Sequence, residues 1–244
     1  MITEITVRGA FEHFCPPERG TVHARIGCEG PAMKPVFERT VAALDTVRSS
    51  IAALADPDRG PVTWWSTQQI RTWSHRPWHK DGKQLPLVHH AAVGVEVKFN
   101  DFAALSRWVG DHVERTDGFT LDRVAWTLTE VRRNELQKDA RTRAVLDARI
   151  RAQHYADALD LGPVRPTAIA DVGLLGDTGP GGAEQPVAFA RGAAGGGNGG
   201  CNGAELVPAD ISVKAEVEAR FAAGRPDPVR ATPVGEPVGE VRPA

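Results

Sequence analysis

The sequence predicts an α+β fold, with an antiparallel or mixed sheet carrying long helices packed on one face. Three observations carry this. Across residues 211–221 apolar and polar residues alternate without a break, the period of a strand with one buried and one wet face. Val93, Val95, Val97 and Phe99 repeat the alternation, as do Val22, Ala24, Ile26 and Cys28. Between such segments lie stretches whose apolar residues return every three or four positions, the spacing of a helix that buries one stripe. One-sided strands favour a sheet covered on a single face.

The elements follow in order. Ile5, Val7 and Gly9 open a first strand, and residues 21–30 form a second, with His23, Arg25 and Glu29 on its wet side. Residues 32–55 place Phe37, Val41, Leu44, Val47, Ile51 and Leu54 on one helical stripe. Pro31 suits its start, and Asp56-Pro57 ends it. Residues 62–73, rich in β-branched and aromatic types, and 87–99 are two strands flanking a polar hairpin with Asp81-Gly82 as a turn signal. Asn100 or Asp101 caps a short helix that points Phe102, Leu105 and Val109 inward. Val124, Trp126 and Leu128 mark a strand.

The longest helix spans about residues 130–161, with Leu136, Ala140, Ala144, Ala148, Ala152, Tyr155 and Leu159 as its inward row. Alanines let such a helix approach its neighbour closely. Gly162 stands just past its end, and Pro163 prevents continuation. Residues 168–175 are a further strand before the last one. Residues 176–205 form a Gly-rich loop insertion, and 225–244 a Pro- and Gly-rich tail without apolar period, expected to be extended or disordered. The simplest organisation is one domain over residues 1–224.

A chain of 244 residues buries a core without help from disulfides or metal. Lys+Arg 29 against Asp+Glu 31 leaves a formal charge of -2, which argues against gripping nucleic acid or anionic membrane. The first seven residues lack the basic and apolar regions of a signal peptide, and no apolar run reaches the length of a membrane span. Cys15, Cys28 and Cys201 are odd in number and scattered, without a CxxC pair. A reduced, cytoplasmic setting is expected.

Candidate chemistry is sparse. His75, His79, His89 and His90 gather at the predicted hairpin, where imidazoles can ligate Zn²⁺, Ni²⁺ or Cu²⁺, though solvent-facing histidines explain them too. Trp64, Trp65, Trp73 and Trp78, interleaved with Arg71 and Arg76, suit packing, a subunit contact, a ligand groove or base stacking. Neighbours on a strand face opposite ways, so Trp64 and Trp65 cannot both enter the covered core. Gly195, Gly197 and Gly200 match G-x-G-x-x-G spacing, but a strand follows where a dinucleotide site needs a helix. No G-x-S-x-G elbow is present. Cys15, near His13 and before Pro16-Pro17, reads as a loop thiol, Cys28 as a small core residue, and Glu216 and Glu218 as solubilising charges.

The ordered set of local patterns resembles the SIMPL domain family, whose bacterial members include YggE-like proteins. Ile5-Thr6-Val7-Arg8-Gly9 resembles that family's first strand, I-x-V-x-G. Val93-Gly94-Val95-Glu96-Val97 followed by Asp101-Phe102 resembles its strand ending in V-x-V and the aspartate that opens the next helix. The stretch from Ala144-Val145-Leu146-Asp147-Ala148-Arg149 to Leu159-Asp160-Leu161-Gly162 resembles its A-x-x-D-A-r…A-x-x-L-g-l helix, and Ile211-Ser212-Val213 with Val217 its closing strand. The resemblance implies an α/β sandwich-like fold, homo-oligomerisation and a link with stress tolerance, and carries over no catalytic residues. Typical YggE-like members have an export signal, which is not seen here.

The expectation is therefore a non-enzymatic, cytoplasmic protein that self-associates through polar-face residues and the Trp64/Trp65 strand. No catalytic, cofactor-binding or metal-ligating residue is assigned, no cofactor is expected, and neither nucleic acid nor membrane is expected as a partner. The alternative is a small-ligand or transition-metal module built on the His75–His90 hairpin.

Overall fold

The computed structural model describes residues 2–56, 59–81, 83–176 and 206–224. Most of the Gly-rich insertion, with Gly195, Gly197, Gly200 and Cys201, and the tail after Gly224 lie outside the described residues. In chain order the elements are β1 (Thr3–Cys15), β2 (Arg19–Gly30), α1 (Met33–Leu54), β3 (Val62–Thr67), β4 (Arg71–His75), β5 (Val88–Phe99), α2 (Phe102–Arg115), β6 (Phe119–Thr127), α3 (Glu130–Ala158), β7 (Arg165–Asp171) and β8 (Ile211–Ala223). The fold is α+β, as the alternation predicts.

The described residues divide into two compact units, one drawn from 2–12, 137–176 and 214–224, the other from 13–136 and 206–213. The larger unit holds a five-stranded sheet in the order β3-β5-β2-β6, with β4 also paired to β5. Strand β5 runs antiparallel to β2, with Val97 opposite Val22, Val95 opposite Ala24 and Val93 opposite Ile26. All six are buried, and with Phe99 they pack under Leu44, Val47 and Ile51 of α1 and Leu105, Trp108 and Val109 of α2. Alternation thus decides which sheet face the helices cover. Asp101 caps α2, its carboxylate accepting the N–H groups of Ala103 and Ala104 at 2.9 and 3.0 Å.

Several local expectations are corrected. The strand expected over 62–73 is two strands, because Gln68 donates its N–H to the Gly94 carbonyl at 2.9 Å and Ile70 turns toward the core. The α1 stripe begins with Val36 and Thr40, while Phe37 is exposed. Thr40 tolerates burial because its hydroxyl donates to the Val36 carbonyl at 2.9 Å. Helix α3 ends at Ala158, short of the expected Leu161, with Asp160 and Gly162 both at positive φ.

In the smaller unit β8 lies between β1 and β7. Ala144, Ala148, Ala152 and Ala156 of α3 are fully buried against Ile5, Val7, Val217, Ala219 and Phe221. The inward row therefore continues through Ala156, and Tyr155 and Leu159, expected in it, are exposed. The close approach of β1 admits methyl groups and rejects a phenol ring.

Candidate functional site

Strands β3 and β4 pair in turn with the two halves of β5, β3 along Val95–Phe99 and β4 along Val88–Ala92. Together they form one border of the larger sheet, which no further described strand pairs. This border carries exposed tryptophans: Trp64 is 46% exposed, Trp65 37%, Trp73 48%, and Trp78 beyond β4 85%. Trp64 lies opposite Lys98, whose Nζ stands 5.5 Å from its ring, on the face turned away from the helices. Trp65 lies opposite the buried Val97. The two indoles take opposite faces, as strand geometry requires.

The four hairpin histidines do not converge. His75 Nδ1 and His90 Nε2 are 2.9 Å apart, a hydrogen bond between stacked rings, and Trp73 stacks on the His90 ring at 5.1 Å. His89 bonds to Ser74, and His79 accepts the Asp81 N–H. His89 and His90 are strand neighbours, so their side chains leave on opposite faces. Among the described residues no group of three His, Cys, Asp or Glu side chains is placed to hold a metal ion.

A polar chain that the sequence did not disclose joins α1 to α2. The Ser50 hydroxyl donates to the Val47 carbonyl at 2.7 Å and accepts the Trp108 indole N–H at 2.9 Å. His112 Nε2 lies 2.7 Å from the same hydroxyl, and its Nδ1 lies 2.7 Å from Thr116 Oγ1. With the Ser50 proton on Val47, His112 donates from Nε2 and accepts from Thr116. The order serine, histidine, threonine mimics a nucleophile, base and orienting group. Ser50, however, sits within α1, where neighbouring amides are spent on the helix and none is free to receive an oxyanion. The chain is a bridge that satisfies buried polar atoms. The signal for it, His112 and Thr116 one helical turn apart, is too common to stand out in a sequence.

Burial pushes the His112 imidazole below its ordinary value, against a smaller opposing pull from Asp111. The unfolded chain therefore takes up a proton where the folded one does not, and stability falls as pH drops through about 6.5. In denaturant titrations between about pH 5 and 7, His112→Gln is expected to flatten this slope relative to wild type. Equal slopes would show that His112 does not titrate in this way.

Cys15 ends β1 and is not the loop residue the sequence suggested. Its thiol donates to the Ile211 carbonyl at 3.7 Å, and burial pushes it above the ordinary thiol value, away from nucleophilic reactivity. Cys28 is buried against Val36 and Ala91. Both thiols are free. Glu218 pairs with Arg8 at 3.0 Å, and that hydrogen bond holds its carboxyl low, while Glu216 is exposed.

No helix among the described residues is long and apolar enough to cross a membrane. The SIMPL family model, described as a protein of unknown function (DUF541), matches residues 5–221. No curated protein matches the sequence.

Proposed function

Because the chain belongs to the SIMPL family, we propose that it is a non-catalytic, self-associating protein of the cytoplasm that joins further copies along β3. The observation that carries this is the pair Trp64 and Trp65, both exposed on a strand whose outer edge no described strand covers. A free edge invites strand pairing, and tryptophan is enriched where protein surfaces meet. The free thiols of Cys15 and Cys28 suit a reducing compartment. A stress-related role accompanies this reading on the family resemblance.

Light scattering after size exclusion tests it. At about 100 µM, a hundredfold above a Kd of about 1 µM, wild type is expected to be an oligomer and Trp64→Ser/Trp65→Ser a monomer with an unchanged melting temperature. A monomeric wild type would refute self-association, and an oligomeric double variant would move the contact off β3. The rival, a transition-metal module at the hairpin, has the His75–His90 pair in its favour. Two imidazole nitrogens fall short of the four ligands of a structural zinc site.

A further inference from the structure

On the face of the larger sheet turned away from α1 and α2 lies a trough of about 430 Å³, bordered by β4 on one side and β2 and β6 on the other. Its floor is the low part of β5, Ala92 and Gly94. A side chain on Gly94 would come within 2.9 Å of the Gln68 carboxamide, which lies across the floor, while the Gln68 main-chain N–H donates to the Gly94 carbonyl. The glycine is what leaves room here.

Charge in the trough is unevenly used. Asp122 pairs with Arg25 at 3.3 Å, and Glu96 with His23 at 3.5 Å. Arg71, on the opposite wall, has no acidic partner among the described residues. Two positions along the same strand, and so on the same face, stands Trp73. One side of its ring is stacked on His90, with the planes 5° apart, yet the residue remains half exposed, which leaves the other side open.

The Arg71 and Trp73 Cα atoms stand about 7 Å apart along a strand, close enough for a guanidinium without an acidic partner among the described residues and an indole with one open side to hold the two ends of one small molecule. Guanidinium groups bind carboxylates through two parallel hydrogen bonds, and aromatic rings stack with an offset. Glu96, whose partner His23 is charged only when protonated, repels a multiply charged guest, which favours a monoanion over phosphate. The volume falls in the range of small-molecule sites. We propose that this trough binds a small aromatic carboxylate, its ring on the open side of Trp73 and its carboxylate on Arg71, with the Gln68 and Gln69 amides meeting its remaining polar groups.

The site draws all its walls from one chain and does not depend on self-association. Calorimetric titration of the full-length protein with 2-naphthoate tests it, beside 2-naphthalenemethanol, which keeps the ring without the charge, and inorganic phosphate, which keeps charge without the ring. Saturable binding of naphthoate alone is expected, weakened about tenfold or more by Arg71→Gln and by Trp73→Leu. Both residues are exposed, so both variants are expected to melt as wild type does. Trp64→Ser/Trp65→Ser is expected to bind naphthoate as wild type does, whatever its oligomeric state. Failure of naphthoate to saturate by about 10 mM, a Kd too weak for a built site, would overturn the proposal. So would undiminished binding by Arg71→Gln, or phosphate displacing naphthoate at equal concentration, which would mark a general anion patch.

Discussion

Gly9→Val is expected to abolish folding of the smaller unit. At Gly9, β1 meets α3 backbone to backbone. A Cβ there would lie 2.0 Å from the Ala144 carbonyl oxygen, 2.6 Å from the Ala148 nitrogen and 2.7 Å from the Ala148 Cβ. Two of these atoms belong to helix backbone, which cannot rotate aside as a side chain does. Relief requires β1 and α3 to separate, and that opens the contact by which Ala144, Ala148, Ala152 and Ala156 are fully buried. Overpacking a core costs about 1–3 kcal/mol when side chains alone must shift, and more when backbone must. Against a net stability of about 5–15 kcal/mol, a loss above about 3 kcal/mol is decisive for a layer this thin. Denaturant unfolding followed by circular dichroism measures it. A variant within about 0.5 kcal/mol of wild type would show that β1 and α3 are not in such contact. Ala148→Leu attacks the same contact from the helix side, and its effect is not expected to add to that of Gly9→Val.

Phe99→Ala is expected to cost the larger unit about 3–5 kcal/mol. Phe99 is the last residue of β5, lies opposite Val62 and Gly20, and is fully buried. Its ring centroid stands 5.7 Å from that of Trp108, which in turn meets Phe119 edge-on at 5.8 Å. Removing the ring leaves a void between the sheet and α2, a helix already tied to α1 through Ser50 and His112 and so not free to close over it. Chemical denaturation provides the measurement, and a loss below about 1 kcal/mol would show that the site collapses freely. The contrast is Trp64: a larger ring, but 46% exposed, whose replacement is expected to change assembly and leave the fold intact.

The strand faces were legible residue by residue. Val93, Val95, Val97 and Phe99 announce their burial by position alone, and Trp64 and Trp65 announce that they part company. Such patterns are local, because side chains alternate along any strand wherever it pairs. Helix stripes were legible less closely. Thr40 is buried through a hydrogen bond to its own helix, and Tyr155 gives way to Ala156, since the width of the gap opposite α3 is set by β1. The four histidines illustrate the limit from the other side: close in sequence, only His75 and His90 meet.

Amino-acid order alone thus determined the fold class, the covered faces of β2, β5 and β8 and the parting of Trp64 from Trp65, because periodicity and steric preference act over a few residues. Tertiary structure alone decided the rest. The pairing of β5 with β2, β3 and β4 brings Arg71, Trp73, Gly94 and Glu96 around one trough, and the packing of α1 against α2 sets Ser50 beside His112. These groups stand tens of residues apart in the chain, and only the free energy of burying both sheet and helix faces together chooses which of them meet.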